Sequence, residues 1–368
     1  MNGPLVSFVV PCYKLAHYLG ACLDSLLGQS YANIEVIVMD DHSPDDTAAV
    51  AAAYADKRVK YVRNDPNLGH LRNYNKGIGL ASGEYIWLIS ADDCLRSMDA
   101  LEHYVRVMEE NPRLAYIFCP AMGLGPNGEE TGVVEWTRAF PSRTTLTGRE
   151  FMAVLADGNC VSAPAVMVRR RCYETAGSFP LDLPHAGDWY LWCAFAVLGD
   201  VAYLDEPLIC YRMHGSNMST TLLDTKRHLV RDDQAKVRWR LKEMADKASY
   251  PEVAKRCIDR LIVRYAVDFA ETTPLPAPEQ MTQTIEAIVE QHLATAERPG
   301  FCARLFGQLA DQLFILDRFA QAQCFYREAL RHQPGQRGYV IKLALLRMGG
   351  SGIAVRRMAA RLRNAFAS

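Results

Sequence analysis

The chain has 368 residues, 49% apolar and 23% charged, with 41 basic against 42 acidic side chains. That length exceeds one average domain and points to two; the composition is that of an ordinary globular protein, and a net charge of −1 excludes the basic footprint of a nucleic-acid binder. No apolar run reaches the ~18 residues needed to cross a bilayer, no n-region and h-region open the chain, and the eleven cysteines include no C-x-x-C pair, so neither a zinc site nor a disulfide framework is expected and a reducing cytoplasm is the expected home.

Residues 5–10 form a short apolar run stopped by Pro11, a first strand. Residues 15–27 carry apolar side chains at helical spacing. A second strand at 34–39 ends in Asp40 and Asp41, and Asp45 or Asp46 opens an alanine-rich helix reaching Tyr54. A short strand follows at 59–62, then a helix at 69–80. The next stretch is the most informative. Tyr85-Ile86-Trp87-Leu88-Ile89 reads as a buried strand and stops abruptly at Ser90-Ala91-Asp92-Asp93. Two carboxylates beyond the carboxyl end of a strand suit a divalent cation. The same residues also read as a strand followed by a helix cap, with Asp93 or Ser97 capping a helix over 98–110.

Residues 115–122 form a fifth strand, and 123–143, rich in Gly, Pro and polar residues, form a surface excursion of a length that often carries function. Thr147 and Glu150 make a capping box for a helix to 155. Strands are expected at 165–168, 201–204 and 208–211, with an aromatic-rich helix over 188–198. Alternation of strand and helix means a mainly parallel sheet. Right-handed crossovers then bring the ends of strands one, two and four to one edge.

After about Thr221 the strands stop. Helical patterns cover 225–245, 250–271, 278–295 and 303–333, with a proline-rich break at 272–278. The expected division is 1–220 and 221–368. Residues 303–334 resemble one tetratricopeptide-type helix pair; a single repeat forms no solenoid. From Ala329 on there are eight Arg or Lys and no acid. Residues 353–366 place Val355, Met358, Ala359, Leu362 and Phe366 on one face and Arg356, Arg357, Arg361 and Arg363 on the rest. That pattern fits a helix lying on an anionic membrane, or one packed on its own domain.

Several motifs occur in order: Pro11-Cys12-Tyr13-Lys14, Asp40-Asp41-His42-Ser43-Pro44-Asp45-Asp46, Asn67-Leu68-Gly69, Asn73-Tyr74-Asn75-Lys76-Gly77, Ser90-Ala91-Asp92-Asp93, Gly187-Asp188-Trp189 and Tyr211-Arg212-Met213-His214. Together, over residues 4–220, they resemble the family 2 inverting glycosyltransferases of the GT-A fold. The resemblance implies a Rossmann-like sheet flanked by helices, followed here by an all-helical region. It implies a nucleotide-sugar site, for a UDP-sugar by family preference, from Pro11, Tyr13, Asp40, Asp41, Asn67, Gly69, Arg72, Asn75, Ser90, Ala91 and Asp92. Asp41 or its neighbour accepts from the nucleoside, and the donors around Gly69 and Arg72 at a helix start suit a diphosphate. Asp92, Asp93 and His214 would hold Mn²⁺ or Mg²⁺, and Asp188 would be the base. The acceptor would be a glycan or lipid-linked hydroxyl in surface-polysaccharide synthesis, with the tail as a peripheral membrane contact.

Bland readings accompany these: Asp40-Asp41 as turn residues, Tyr13 as core, Asp188 as a helix cap, and His214 as structural. The sequence departs from the family pattern at Ser90, where a third acid is usual, and at Gly187, where Glu is usual. Those departures support an alternative reading as a catalytically dead scaffold. A nucleotidyltransferase would need a Gly-rich basic signature at the first strand–helix turn, which Pro11-Cys12-Tyr13-Lys14 lacks.

Overall fold

The structure is a computed structural model describing residues 3–215, 217, 221, 225–272 and 274–366, with side chains from Ala359 onward outside the description. The chain divides into two units, Met1–Ala254 and Lys255–Ser368.

The first unit opens with strict alternation: β1 (Val6–Cys12), α1 (Ala16–Leu27), β2 (Ile34–Asp40), α2 (Thr47–Ala52), β3 (Val59–Arg63), α3 (His70–Leu80) and β4 (Tyr85–Leu88). β3, β2, β1 and β4 lie side by side and parallel. All seven residues of β1 are buried, as its unbroken apolar run requires for a strand covered on both faces. Trp87 anchors β4: its ring lies 4.3 Å from Tyr104 and its indole N–H donates to the carbonyl of Pro164 at 2.6 Å. Gly83 admits β4 to this position, since a Cβ there would lie 2.6 Å from the Leu5 carbonyl oxygen.

Then follow β5 (Cys94–Leu95), α4 (Ala100–Glu110), β6 (Leu114–Phe118), β7 (Ala121–Leu124), β8 (Glu130–Val133), β9 (Thr144–Leu146), α5 (Gly148–Asp157), β10 (Val166–Arg169), α6 (Arg170–Ala176), α7 (Gly187–Ala196), β11 (Asp200–Tyr203), β12 (Ile209–Arg212) and α8 (Arg227–Lys247). The main sheet runs β3-β2-β1-β4-β10-β6-β11-β9. β10 enters antiparallel between β4 and β6, and β9 closes the edge antiparallel to β11. Six of the eight strands point the same way, so the sheet is mainly parallel as expected, with β10 and β9 running against it. The single expected strand over 115–122 breaks at Cys119-Pro120 into β6 and β7, proline having no N–H for a ladder. β7 joins a small second sheet, β5-β12-β7-β8. The excursion at 123–143 thus supplies β8, paired antiparallel with β7.

The capping box of α5 is present: Thr147 N–H donates to Glu150 Oε2 at 2.9 Å and Glu150 N–H to Thr147 Oγ1 at 3.3 Å. The start of α4 differs from expectation. Neither the Asp93 nor the Ser97 side chain caps its N-terminal amides; Gln29 Oε1 accepts the Leu101 N–H at 3.0 Å. Asp45 serves α1 as well as α2, accepting the Ala16 N–H at 3.1 Å.

The division near residue 221 also shifts. α8 packs on α7 and α5 and belongs to the first unit, placing the boundary inside α9 (Pro251–Glu271). The second unit continues with α10 (Pro278–His292), α11 (Arg298–Ile315), α12 (Phe319–His332), α13 (Arg337–Arg347) and α14 (Gly350–Phe366). Residues 303–333, read as a helix pair, fall in α11 and α12, which turn at Asp317 with φ 59° and pack through stacked Phe306 and Phe325. On α14, Arg356 is 8% exposed and bonds Asp311, as does Lys342 at 2.7 Å. Arg357 pairs with Asp317. Val355 and Met358 are exposed. This inverts the expected faces of the tail: two of its arginines are paired within the unit, Arg356 with the half-buried carboxylate of Asp311 and Arg357 with Asp317. Arg361, Arg363, Leu362 and Phe366 lie outside the described side chains. Among the described residues no helix is long and apolar enough to cross a membrane.

Candidate active site

Parallel register builds the floor of a cleft. Cys12 lies opposite Asp40 and Val9 opposite Leu88. Beyond Leu88 the chain stays beside β1, with the Ile89 N–H on the Val9 carbonyl (3.0 Å) and the Ala91 N–H on that of Pro11 (3.1 Å). The three strand ends meet at one edge, where open α/β sheets bind ligands.

A cavity of about 470 Å³ opens there. Pro11, Tyr13, Asp41, Asn67, Gly69, Ser90, Asp92 and His214 are on its wall. Tyr13 is 45% exposed and is not core. Asp41 organises the rim: it accepts from Asn64 Nδ2 (2.9 Å), Leu68 N–H (2.8 Å) and Gly69 N–H (2.9 Å). These charge-assisted bonds fix the turn in which Gly69 takes φ 79°.

Four expected site residues are elsewhere. Asp40 is fully buried and enclosed by the Ser43 N–H, Tyr61 Oη and Arg63 Nη1. Ala91 is buried behind the wall. Arg72 is exposed, and Asn75 is tied to the backbone of Phe179 by two bonds of 2.8 Å. Helical geometry explains the last two. His70, Asn73 and Tyr74, at i, i+3 and i+4, share the face of α3 that meets the cavity. Residues 72 and 75 point from other sides. His70 and Tyr74 escaped the sequence reading, although their i, i+4 spacing was a usable signal.

Asp92 and Asp93 divide in role. Asp92 Oδ2 lies 3.0 Å from His214 Nε2, and Asp92 Oδ1 is buried without a hydrogen-bond partner. Asp93 accepts the Arg212 N–H at 2.9 Å; burial, then the charge of Asp92, hold its carboxyl well above the ordinary range. Arg212 Nε donates to the Asp92 carbonyl at 2.8 Å, with its guanidinium 4.6 Å from the Tyr18 ring centre. Among the described residues no group of three or more His, Cys, Asp or Glu gathers as a metal-binding cluster.

Asp188 is the second residue of α7. Its Oδ1 accepts the Trp189 N–H at 2.7 Å and its Oδ2 the Asn159 Nδ2 at 3.3 Å. Burial pushes its carboxyl up to about 6. The cap position belongs to Ala186, and the chain before it is held by Asp233 of α8, whose Oδ2 accepts the His185 N–H at 2.8 Å. The sequence reading missed Asp233 because it had assigned α8 to another domain. Gly187 also gains a reason: a Cβ there would lie 3.2 Å from Phe179.

Two further cavities continue from the first in series. One of about 160 Å³ shares Pro11, Tyr74 and Asp92 with it; a third, of about 560 Å³, shares Pro164, Tyr211 and Asp188 with the second. The cleft is thus continuous, with Asp92 at one junction and Asp188 at the other.

Residues 7–163 match the description of glycosyl transferase family 2. The chain carries a family 2 glycosyltransferase domain. The matched span holds β1 to α5 and includes Asp92; Asp188 and His214 lie beyond it. The domain is similar to a glycosyltransferase of Haemophilus influenzae, 29% identical over 227 residues that cover 60% of this chain and 68% of that one. It is also similar to the UDP-Glc:alpha-D-GlcNAc-diphosphoundecaprenol beta-1,3-glucosyltransferase WfgD of Escherichia coli, 27% identical over 60% of this chain and 81% of that one. Among solved structures, S. aureus TarS 1–349 superposes with a TM-score of 0.59 at 17% identity, over 86% of this chain and 91% of that one. The glycosyltransferase domain has the GT-A fold.

Proposed function

We propose that this glycosyltransferase inverts configuration, moving a sugar from a UDP-sugar to a hydroxyl of a glycan or lipid-linked acceptor. The observation that carries the reading is the place of Asp188: a carboxyl raised to about 6 at the junction between the cavity bordered by Asp92 and the wide outer cavity. A general base works best with its pKa near the operating pH. In this reading the nucleotide lies against Tyr13 and Asp41. The acceptor hydroxyl comes from the outer side and gives its proton to Asp188 Oδ2. Its oxygen attacks the anomeric carbon on the face opposite the diphosphate. The E. coli relative, named for a UDP-glucose donor and a lipid-linked acceptor, supports the choice of substrates.

Mn²⁺ or Mg²⁺ fits the residues present. The buried, unpartnered Asp92 Oδ1 and the adjacent His214 Nε2 are a ligand pair, and such ions are commonly held by one or two carboxylates together with substrate phosphates. When bound, the ion would neutralise charge on the departing diphosphate. Asp93 and Arg212 fix the turn that presents Asp92.

The test is Asp188→Asn, which keeps shape and removes the base. Transfer should fall by about 10²–10⁴-fold while UDP binding persists. Near-parental turnover by Asp188→Asn removes Asp188 from the mechanism.

A further inference from the structure

The outer cavity of about 560 Å³ is larger than the 160 Å³ space it adjoins. Its wall includes Trp136, which is 53% exposed. Leaving the largest side chain half in water forgoes burial that a folded chain normally takes. The ring is not on a loose loop. It stands on the short turn Glu135–Thr137, and Thr137 beside it is fully buried. Thr137 Oγ1 accepts the Ala121 N–H at 2.9 Å and donates to the Val134 carbonyl at 2.6 Å. The turn is thereby pinned to β7, which fixes the place from which Trp136 projects.

The rest of the wall supplies two amides beside two charged groups of opposite sign, Asp188 and Arg238. Asn159 comes from the segment after α5 and Gln234 from α8. His185 is held below its ordinary pKa by burial, which favours its neutral form. The guanidinium of Arg238 donates to the carbonyls of Gln234 (3.2 Å) and Asp157 (3.1 Å) and lies 4.7 Å from the Trp189 ring centre. A phosphate here would need cations, and the one on this wall among the described residues already has these partners. A pyranose ring has a flat C–H face and a rim of hydroxyls. One fixed aromatic face with amides around it matches that chemistry.

We propose that this cavity is the acceptor subsite and takes an uncharged pyranose residue of a glycan, stacked on Trp136 with its reacting hydroxyl turned to Asp188. The inference rests on the reading of Asp188 as base. It assigns the near part of the acceptor to a sugar, so that any phosphate of a lipid-linked acceptor lies outside the cavity. Specificity for the acceptor then resides in the excursion carrying Trp136 and in α8, not in the strand ends that bind the nucleotide.

The experiment is saturation-transfer NMR on the full chain with UDP and Mg²⁺ present. The probes are the methyl glycosides of glucose, galactose and N-acetylglucosamine. At least one should bind in the millimolar range. Trp136→Ala should weaken it on the order of 10-fold, and Trp136→Phe should recover most of the loss, as removal and replacement of a stacking ring predict. Melting curves of both variants establish that they fold. Absence of binding by all three glycosides overturns the proposal, as does a Trp136→Ala protein that binds them as tightly as the parent. UDP binding to the parent is read in the same samples: if it is present while the glycosides fail, the acceptor inference alone falls. If UDP itself does not bind, the donor-site reading falls with it.

Discussion

The two sides of the cleft are built differently. The side proposed for the donor is made of strand ends in main-chain register, β1 with β2 and β4, and of a rim turn gathered onto the Asp41 carboxylate by three donors. The side proposed for the acceptor is assembled from segments far apart in sequence: the turn at Trp136, the segment at Asn159, the start of α7, and Gln234 of α8. Its geometry rests on side chains reaching across, such as Asp233 to the His185 amide. A main-chain scaffold tolerates little change and presents a constant ligand. A side-chain wall can be altered residue by residue, which suits the part of the substrate that differs between enzymes.

The largest expected effect falls on the donor side. Asp92→Ala should abolish the metal-dependent part of UDP binding, because Asp92 Oδ1 is buried with no other partner and His214 loses its neighbour at 3.0 Å. Isothermal titration with and without a chelator reads this directly. Equal metal dependence in parent and Asp92→Ala would detach Asp92 from the ion.

Next is pH, which tests the junction. Asp188 must be ionised to accept a proton, so kcat/KM should fall about tenfold per pH unit below about 6. The stability consequence has a definite sign. The folded value of about 6 exceeds the ordinary 3.8, so the native state holds this proton more tightly. The stabilising contribution is fully present below 3.8 and is lost as pH rises through about 6. Asp188→Asn, neutral throughout, should therefore melt no lower than the parent at pH 7. A pH–rate profile flat from 5 to 7 would contradict the assignment.

The difference between the two sides also explains what the sequence disclosed. Apolar runs ending in Pro11, Asp40 and Ser90 could be read as strands because buried parallel strands leave a strong local signal, and right-handed crossovers then force their ends together. Asp92 and His214 came together as expected, 122 residues apart. Side-chain orientation was less legible. Asp40 and Asp41 are adjacent and of one type, yet a strand turns successive side chains to opposite faces, so one is enclosed by Tyr61 and Arg63 and the other rims the cavity. The acceptor side was least legible. α8 looks like the first of the C-terminal helices, and nothing local to Asp233 or Gln234 says that it packs on α7. The break of one apolar run into β6 and β7 hinged on Pro120, which the pattern alone did not weigh.

A smaller effect, on stability alone, should come from Asp40. Asp40→Ala leaves the buried Ser43 N–H and the Tyr61 hydroxyl without their acceptor and should cost about 3 kcal/mol, read as a lower urea midpoint with unchanged slope. Any loss of UDP affinity should follow only from the melted fraction. A variant that folds fully yet binds UDP poorly would return Asp40 to the nucleotide site.

The smallest effect is expected at Arg72, and it bears on how α3 meets the donor. The helix turns 100° per residue, so His70, Asn73 and Tyr74 share one face, and those three line the cavity. Arg72 stands about 200° from His70 around that helix, and it is exposed. A guanidinium in water at that bearing interacts with a diphosphate only through screened Coulomb forces, which decay over roughly 8 Å at physiological salt. Arg72→Ala should then change UDP affinity by no more than about twofold, with that change vanishing at high salt. Tyr74→Ala, two residues on, removes a ring from the wall itself and should weaken UDP by on the order of 10-fold at any salt. If the order is reversed, so that Arg72→Ala is the more damaging and its effect survives high salt, α3 must present its opposite face when the donor is bound, and the wall of the proposed donor cavity would have to rearrange.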